Sequence, residues 1–299
     1  MSELKEYILS KRPTLSASSL TTYASVLKSL HTKVFGEGKI VWDNFNNSEK
    51  ILEYLNTVPP NKSKTSLSAL VVITDLPIYK ETMVKAITDY NKEIATQLPT
   101  EQQKESWVTT EQLQNAFDDL KKNADWLYKK KTPLTMEDMQ TIQNYIIVAL
   151  LCGILIAPRR SKDYCDFKIK NIQENKDNFM TKTDLVFNSY KTMNTYGTQK
   201  VELPKTLKSI LTKWIKINPT DYLLFDKNSH PLTPVKLNQR FNKIFQGKVS
   251  VNAFRHTYLT DKFSDYNVQD KEATKVAQAM GTSKEAILDS YVKILEPIE

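Results

Sequence analysis

The chain has 299 residues, with 42 Lys+Arg against 34 Asp+Glu and a formal charge of +8. At roughly 100–200 residues per domain this length suggests two domains. A share of 40% hydrophobic and 25% charged residues is ordinary globular usage and excludes disordered, collagen-like and coiled-coil classes.

The charged N-terminus, MSELKEYILSKRP, lacks the apolar core of a signal peptide. Ser16 to Leu30 (SASSLTTYASVLKSL) opens with hydroxyl caps and then places Leu20, Tyr23, Val26, Leu27 and Leu30 at helical spacing. Asn46 to Leu55 and Ser66 to Thr74 are short helical candidates, broken by Pro59-Pro60 and Pro77, and Ile78 to Ala95 can carry another helix. The stretch 97–106 (QLPTEQQKES) is polar with a proline and reads as a linker. Thr109 and Thr135 start further helices, the second predicted to run to about Ala157. No apolar run reaches the ~18–20 residues of a membrane span; the best, Tyr145 to Ala157, is followed by Arg159-Arg160. Asp184 to Tyr190 and Gln199 to Leu203 are strand-like and joined by a polar turn containing Gly197, and helical patterning returns beyond Pro204. Cys152 and Cys165 form neither a disulfide framework nor a zinc site.

The expected fold class is mainly α (α+β). Residues 1–98 form a helical N-terminal domain, 99–106 a linker, and 107–299 a mostly helical domain with a small antiparallel sheet. A soluble intracellular protein is expected, with nucleus, cytoplasm and virus factory not distinguished.

The positive charge is concentrated. Residues 151–260 hold 19 Lys+Arg and 8 Asp+Glu, whereas residues 1–100 hold 12 and 10. Such a stretch suits a surface that tracks phosphates, although a solvated basic face has the same composition.

Four clusters within and after this stretch carry the chemistry. Ala157-Pro158-Arg159-Arg160-Ser161-Lys162-Asp163-Tyr164 follows the apolar helix, and Ser189-Tyr190-Lys191-Thr192 ends a strand. Val251-Asn252-Ala253-Phe254-Arg255-His256-Thr257-Tyr258 lies far downstream. Ala279-Met280-Gly281-Thr282-Ser283 comes next, with Tyr291 nine residues after Thr282. Their order and spacing resemble the tyrosine recombinase/integrase family over about residues 105–299. That family's signature is an Arg with an acid three positions on, a Lys on a β-hairpin, H-x-x-R-H, a glycine-centred turn and a nucleophilic Tyr. The spacing is similar to that of divergent recombinases from mobile elements and eukaryotic DNA viruses.

The resemblance implies roles. Arg160, with Asp163 as its support, matches the first Arg, and Arg159 competes by one position. Lys191 matches the hairpin Lys, Arg255 and His256 the second Arg and the His after it, and Tyr291 the nucleophile. Two positions depart: Asn252 stands for the first His of H-x-x-R-H, and Thr282 for the His or Trp after the glycine. Both bear on rate and proton handling more than on fold. Arg159, Lys200, Arg240 and Lys243 are candidate DNA contacts. The resemblance also implies a core-binding-like N-terminal domain, double-stranded DNA as partner, and a homo-tetramer on paired sites, with no membrane partner.

The residue types suit the chemistry. Arginine's planar fork binds two phosphate oxygens and stabilises charge developing on a phosphodiester under attack. Tyrosine needs a positive pocket and a proton acceptor before it attacks, and the resulting phosphotyrosine preserves the bond energy for rejoining. No cofactor and no metal are then expected, in keeping with the absence of a Gly-rich phosphate loop. Lysine can protonate the leaving 5′-oxygen.

Structural alternatives stand beside these roles. Arg160 also suits a helix C-terminus, Lys191 a solvated strand end, and Tyr291 a packing position among Ile287, Leu288 and Ile294. His256 also suits a core-facing imidazole satisfied by backbone. The main functional expectation is a site-specific recombinase/integrase that integrates or excises a mobile or viral DNA through a 3′-phosphotyrosine. The alternatives are a type IB topoisomerase-like relaxing enzyme, which would act as a monomer, and a recombinase-derived DNA-binding protein with lost catalysis.

Overall fold

A computed structural model describes residues 2–96 and 98–280; Thr282 and Tyr291 lie outside the described residues. The chain divides into two compact units, Met1–Pro99 and Thr100–Glu299.

The first unit is helical. Its opening segment, read from sequence only as a non-signal N-terminus, forms α1 (Ser2–Lys11), because Leu4 and Ile8, one helical turn apart, are both buried. The Ser16 hydroxyl caps α2 (Ala17–Phe35) by accepting from the Ser19 amide. A short 3-10 turn (Trp42–Asn46) leads to α3 (Ser48–Asn56), capped by Asn47. The prolines expected to break helices instead start them: α4 spans Pro60–Ile73 and α5 spans Pro77–Ala95. Proline suits a first turn because the amide it lacks has no intrahelical partner there. Leu27, Leu30, Phe45, Ile51, Leu67, Leu70 and Tyr79 form the core. The Tyr79 hydroxyl, fully buried, donates to the Phe45 carbonyl at 2.8 Å.

In the second unit, the stretch expected to be a linker holds a short helix, α6 (Glu101–Glu105), under a reciprocal Thr100–Gln103 capping box. Thr109 and Thr135 cap α7 (Thr110–Tyr128) and α8 (Met136–Leu151) in the same way. Helix α8 is buried almost all round from Ile142 to Leu151 and is the axis of this core. It ends six residues before the predicted Ala157. Gly153 there adopts φ +83°, a left-handed conformation that ends the helix, and a Cβ at this position would lie 2.9 Å from the Tyr258 ring. The chain then runs irregularly to α9 (Ser161–Cys165).

The sheet has three antiparallel strands in the order β1 (Phe179–Met180), β2 (Asp184–Phe187), β3 (Gln199–Glu202). Two of them were legible in sequence, with shorter bounds, and β1 was not. The β2–β3 connection is more than a turn, since it contains α10 (Met193–Tyr196), closed by Gly197 at φ +65°. Helices α11 (Lys205–Ile217), α12 (Pro234–Ile244) and α13 (Val251–Met280) complete the unit.

Buried amides and rings tie these parts to α8. The Gln143 side chain donates to the Phe225 carbonyl and accepts from the Phe225 amide, both at 2.8 Å. Trp214 stacks on Phe225 at 5.7 Å. The Phe254 ring of α13 packs on Phe241 and Phe245, and the Thr257 hydroxyl donates to the Val108 carbonyl at 2.6 Å. The expected class, mainly helical with a small antiparallel sheet, is the one observed. Among the described residues no helix is long and apolar enough to cross a membrane. Both cysteines are buried and unpaired.

Candidate functional site

Arg159 and Arg160 follow each other in sequence yet do different things. The Arg159 guanidinium donates from Nε to Asp163 at 3.0 Å and from a terminal nitrogen to Gln199 on β3 at 2.8 Å. It also lies 4.0 Å above the Phe187 ring and 5.1 Å from that of Tyr190. Its side chain is 17% exposed and that of Asp163 only 3%. Arg159 therefore has a structural occupation, joining α9 to the sheet.

Arg160 is not at a helix C-terminus. It stands instead at the N-cap of α9, makes no capping bond with its side chain, and is half-buried. A cation gains nothing from the partial positive charge of a helix start, so the C-terminal account does not apply to it.

Asp163 is subject to charges from both arginines and from α13. One carboxylate oxygen accepts from Arg159, and the other is buried without a hydrogen-bond partner among the described residues. Burial pushes its carboxyl above the ordinary carboxylate range, while the charges of Arg159, Arg160 and Arg255 all pull the other way. Three guanidinium groups from distant parts of the sequence thus act on one buried carboxylate. Among the described residues only Arg159 is paired with it. Arg160 and Arg255, both half-buried, have no hydrogen bond or ion pair of their side chains among the described residues. A guanidinium with no such partner keeps its fork of donors for an anion with paired oxygens.

Helix α13 supplies the rest of this surface. Val251, Ala253, Phe254 and Thr257 face the core, while Asn252 and His256, four residues apart, share an exposed side with Arg255 between them. The core-facing alternative for His256 is corrected: the imidazole is exposed, and its Nε2 lies 3.3 Å from Gln103 Nε2. Gln103 accepts from the Thr100 amide through its oxygen. Its amide nitrogen is thus the atom turned toward the His256 ring.

Lys191 lies in the β2–β3 connection, four residues past the end of β2 rather than on a strand, and its side chain is exposed. It follows Tyr190, whose ring lies beside Arg159 and whose hydroxyl donates to the Gly197 carbonyl at 2.7 Å.

Two buried residues that sequence reasoning missed hold this connection. Asn178, 1% exposed, bonds both the Asp163 carbonyl and the Asn188–Ser189 backbone. Asn188 donates to the Glu174 and Asp177 carbonyls and accepts from Thr198. Neither carries a sequence signal, since an asparagine in a polar stretch reads as loop.

The remaining candidate DNA contacts are spread apart. Lys200 is exposed on β3, opposite Val186, and Lys243 is exposed on α12. Arg240 is half-buried and turned inward, toward the Gln140 and Phe225 carbonyls and the Asn144 side chain at 3.3–3.5 Å. Burial pushes its pKa down to about 10, against the attraction of Asp226. Among the described residues no three His, Cys, Asp or Glu side chains are grouped as metal ligands would be.

No family model matches the chain, and no curated protein matches it in sequence. Among solved structures the chain is similar to a lambda integrase dimer bound to a COC′ core site, at 13% identity and a TM-score of 0.48, covering 100% of this chain and 79% of that one. It is similar to a lambda integrase tetramer bound to a Holliday junction, at 13% identity and a TM-score of 0.46, covering 90% and 75%. It is also similar to XerA recombinase, at 14% identity and a TM-score of 0.34, covering 87% and 82%.

Proposed function

We propose that this chain is a DNA strand transferase of the tyrosine recombinase type, acting on double-stranded DNA. The observation that supports this most is the pair Arg160 and Arg255. They come from separate elements, their charges act on the same buried carboxylate, and among the described residues neither has a hydrogen-bonded or ion-paired anionic partner. A phosphodiester gathers negative charge on its non-bridging oxygens as it is attacked, and two preorganised guanidinium groups lower that barrier. Asp163 and Arg159 hold the turn that carries Arg160.

In this reading the Tyr291 oxygen loses its proton and bonds to phosphorus. The bond from phosphorus to the 5′-oxygen breaks, and Lys191 protonates the leaving oxygen. The product is a 3′-phosphotyrosine and a free 5′-hydroxyl, and attack by a second 5′-hydroxyl reverses the chemistry and joins new ends. Asn252 donates a hydrogen bond to phosphate but cannot carry a proton, and Thr282 donates over a shorter reach. Residues 1–98 bind the duplex as a core-binding-like domain, with Lys200 and Lys243 as further phosphate contacts. Assembly is as a homo-tetramer on paired sites, for integration or excision of a mobile or viral DNA.

The test is a duplex with a nick beside the cleavage position, which traps the covalent intermediate. A protein–DNA adduct that disappears in Tyr291→Phe is expected. Arg255→Ala should reduce adduct more than Asn252→Ala, because only the first removes a charge from the clamp. Binding without adduct in the unaltered chain rejects the proposal in favour of a DNA-binding protein.

A further inference from the structure

Lys191 has no hydrogen bond or ion pair of its own among the described residues and is exposed, so its backbone must be what places it. That backbone is held from one buried side chain. Asn178 donates from Nδ2 to the Asp163 carbonyl and to the Ser189 carbonyl, both at 2.8 Å. Its Oδ1 accepts from the Asn188 amide at 2.8 Å and the Ser189 amide at 2.7 Å. An asparagine amide offers two donor hydrogens and two acceptor lone pairs, and here all four are used. One end of this joint lies three residues after Arg160, in α9. The other lies two residues before Lys191, past the end of β2.

Resting on the function proposed above, we infer that Asn178 is a positioning residue that sets Lys191 against the arginine clamp. The geometry favours asparagine over its neighbours in size. Aspartate would set a carboxylate oxygen against two carbonyl oxygens and lose both donor bonds. Leucine would lose all four bonds and leave buried backbone groups unpaired. Asn188 steadies the same segment from its far side, through Glu174, Asp177 and Thr198.

The role can be separated from mere folding by changing the leaving group. When sulfur replaces the bridging 5′-oxygen, the departing thiolate needs no proton, because a thiol is far more acidic than an alcohol. A general acid then becomes dispensable while the phosphate clamp does not. The experiment compares the full chain with Asn178→Asp and Lys191→Ala on nicked duplexes carrying either an ordinary or a 5′-bridging phosphorothiolate linkage. Thermal unfolding is followed alongside.

Asn178→Asp is expected to slow cleavage of the ordinary linkage by roughly 10²-fold, the lower range for loss of general acid catalysis. Cleavage of the phosphorothiolate should stay near that of the unaltered chain, the pattern also expected of Lys191→Ala. Equal losses on both linkages, or no loss on either, overturn the inference. If Asn178→Asp does not fold, Asn188→Ser, which keeps Asn178 in place, is measured in its stead; a smaller loss confined to the ordinary linkage supports the inference, and any other pattern overturns it. Absence of adduct from the unaltered chain on both linkages instead overturns the proposed function, and this inference with it.

Discussion

Arg159→Ala and Arg160→Ala change adjacent arginines to the same residue and should have opposite consequences. Arg159→Ala removes a 3.0 Å ion pair to Asp163, a 2.8 Å bond to Gln199 and a guanidinium stacked 4.0 Å above Phe187. It leaves a carboxylate that is 3% exposed and already has one oxygen unpartnered. Breaking a buried pair from one side costs about 3–5 kcal/mol. For a unit of this size each kcal/mol lowers the melting temperature by roughly 2–4 °C, so a fall of about 6–20 °C is expected. The deficit should also depend on pH. With Arg159 gone, the Asp163 carboxyl rises further above its unfolded value. The folded state then holds its proton more tightly than the unfolded state does. The variant regains stability relative to the unaltered chain as pH falls through that raised value, and loses it again as pH rises. Arg160→Ala removes a side chain with no such partners and should stay within about 0.5 kcal/mol, yet it should abolish covalent adduct. Thermal and urea unfolding by circular dichroism, repeated across pH and paired with the nicked-duplex assay, measure both. Equal destabilisation by the two substitutions, or an unchanged melting temperature in Arg159→Ala, refutes the division of roles.

Gly153→Ala should destabilise twice over, by about 1–2 kcal/mol for a left-handed backbone and about 1–3 kcal/mol for overpacking against Tyr258. In a Tyr258→Ala background most of the second cost should go, since only the 3.3 Å contact to Cβ remains, so equal costs in both backgrounds, read from urea midpoints, contradict the ring contact. Asp226 accepts from Lys236 and from the Asn228 and His230 amides, and these bonds, the Lys236 one foremost, hold its pKa down to about 2. A depressed carboxylate stabilises the fold above its unfolded pKa of about 3.9 and loses that contribution as pH falls toward about 2. Acid titration should therefore show Asp226→Asn less stable at neutral pH and flatter below pH ~4, and parallel curves for the two proteins contradict this.

Much of the fold was legible because helix starts are written locally. Ser16, Thr109 and Thr135 each accept from an amide three residues on, and that needs only the right side chain before an apolar repeat. Endings were less legible. Helix α8 stops at Leu151, where a left-handed glycine meets a tyrosine ring brought in by α13, whereas apolar patterning continues to Ala157. The site divides in the same way. Charge concentration and spacing singled out Arg160 and Arg255, and the charges of both act on the buried Asp163 carboxyl. The core-facing alternative for His256 fails because the ring's orientation follows from the turn of α13 and from Gln103, a residue of another helix.

The sequence by itself determined where helices begin, that a small sheet interrupts them, and where the positive charge is concentrated. All of these depend on residue type and on neighbours within a turn. Only the tertiary structure decided that Arg159 is a strut while Arg160 is unpaired among the described residues, and that Asn178 joins α9 to the β2–β3 connection. Those assignments rest on partners far away in sequence, and for Asn178 on backbone amides and carbonyls, which are chemically alike at almost every position and leave no mark in a string of residues.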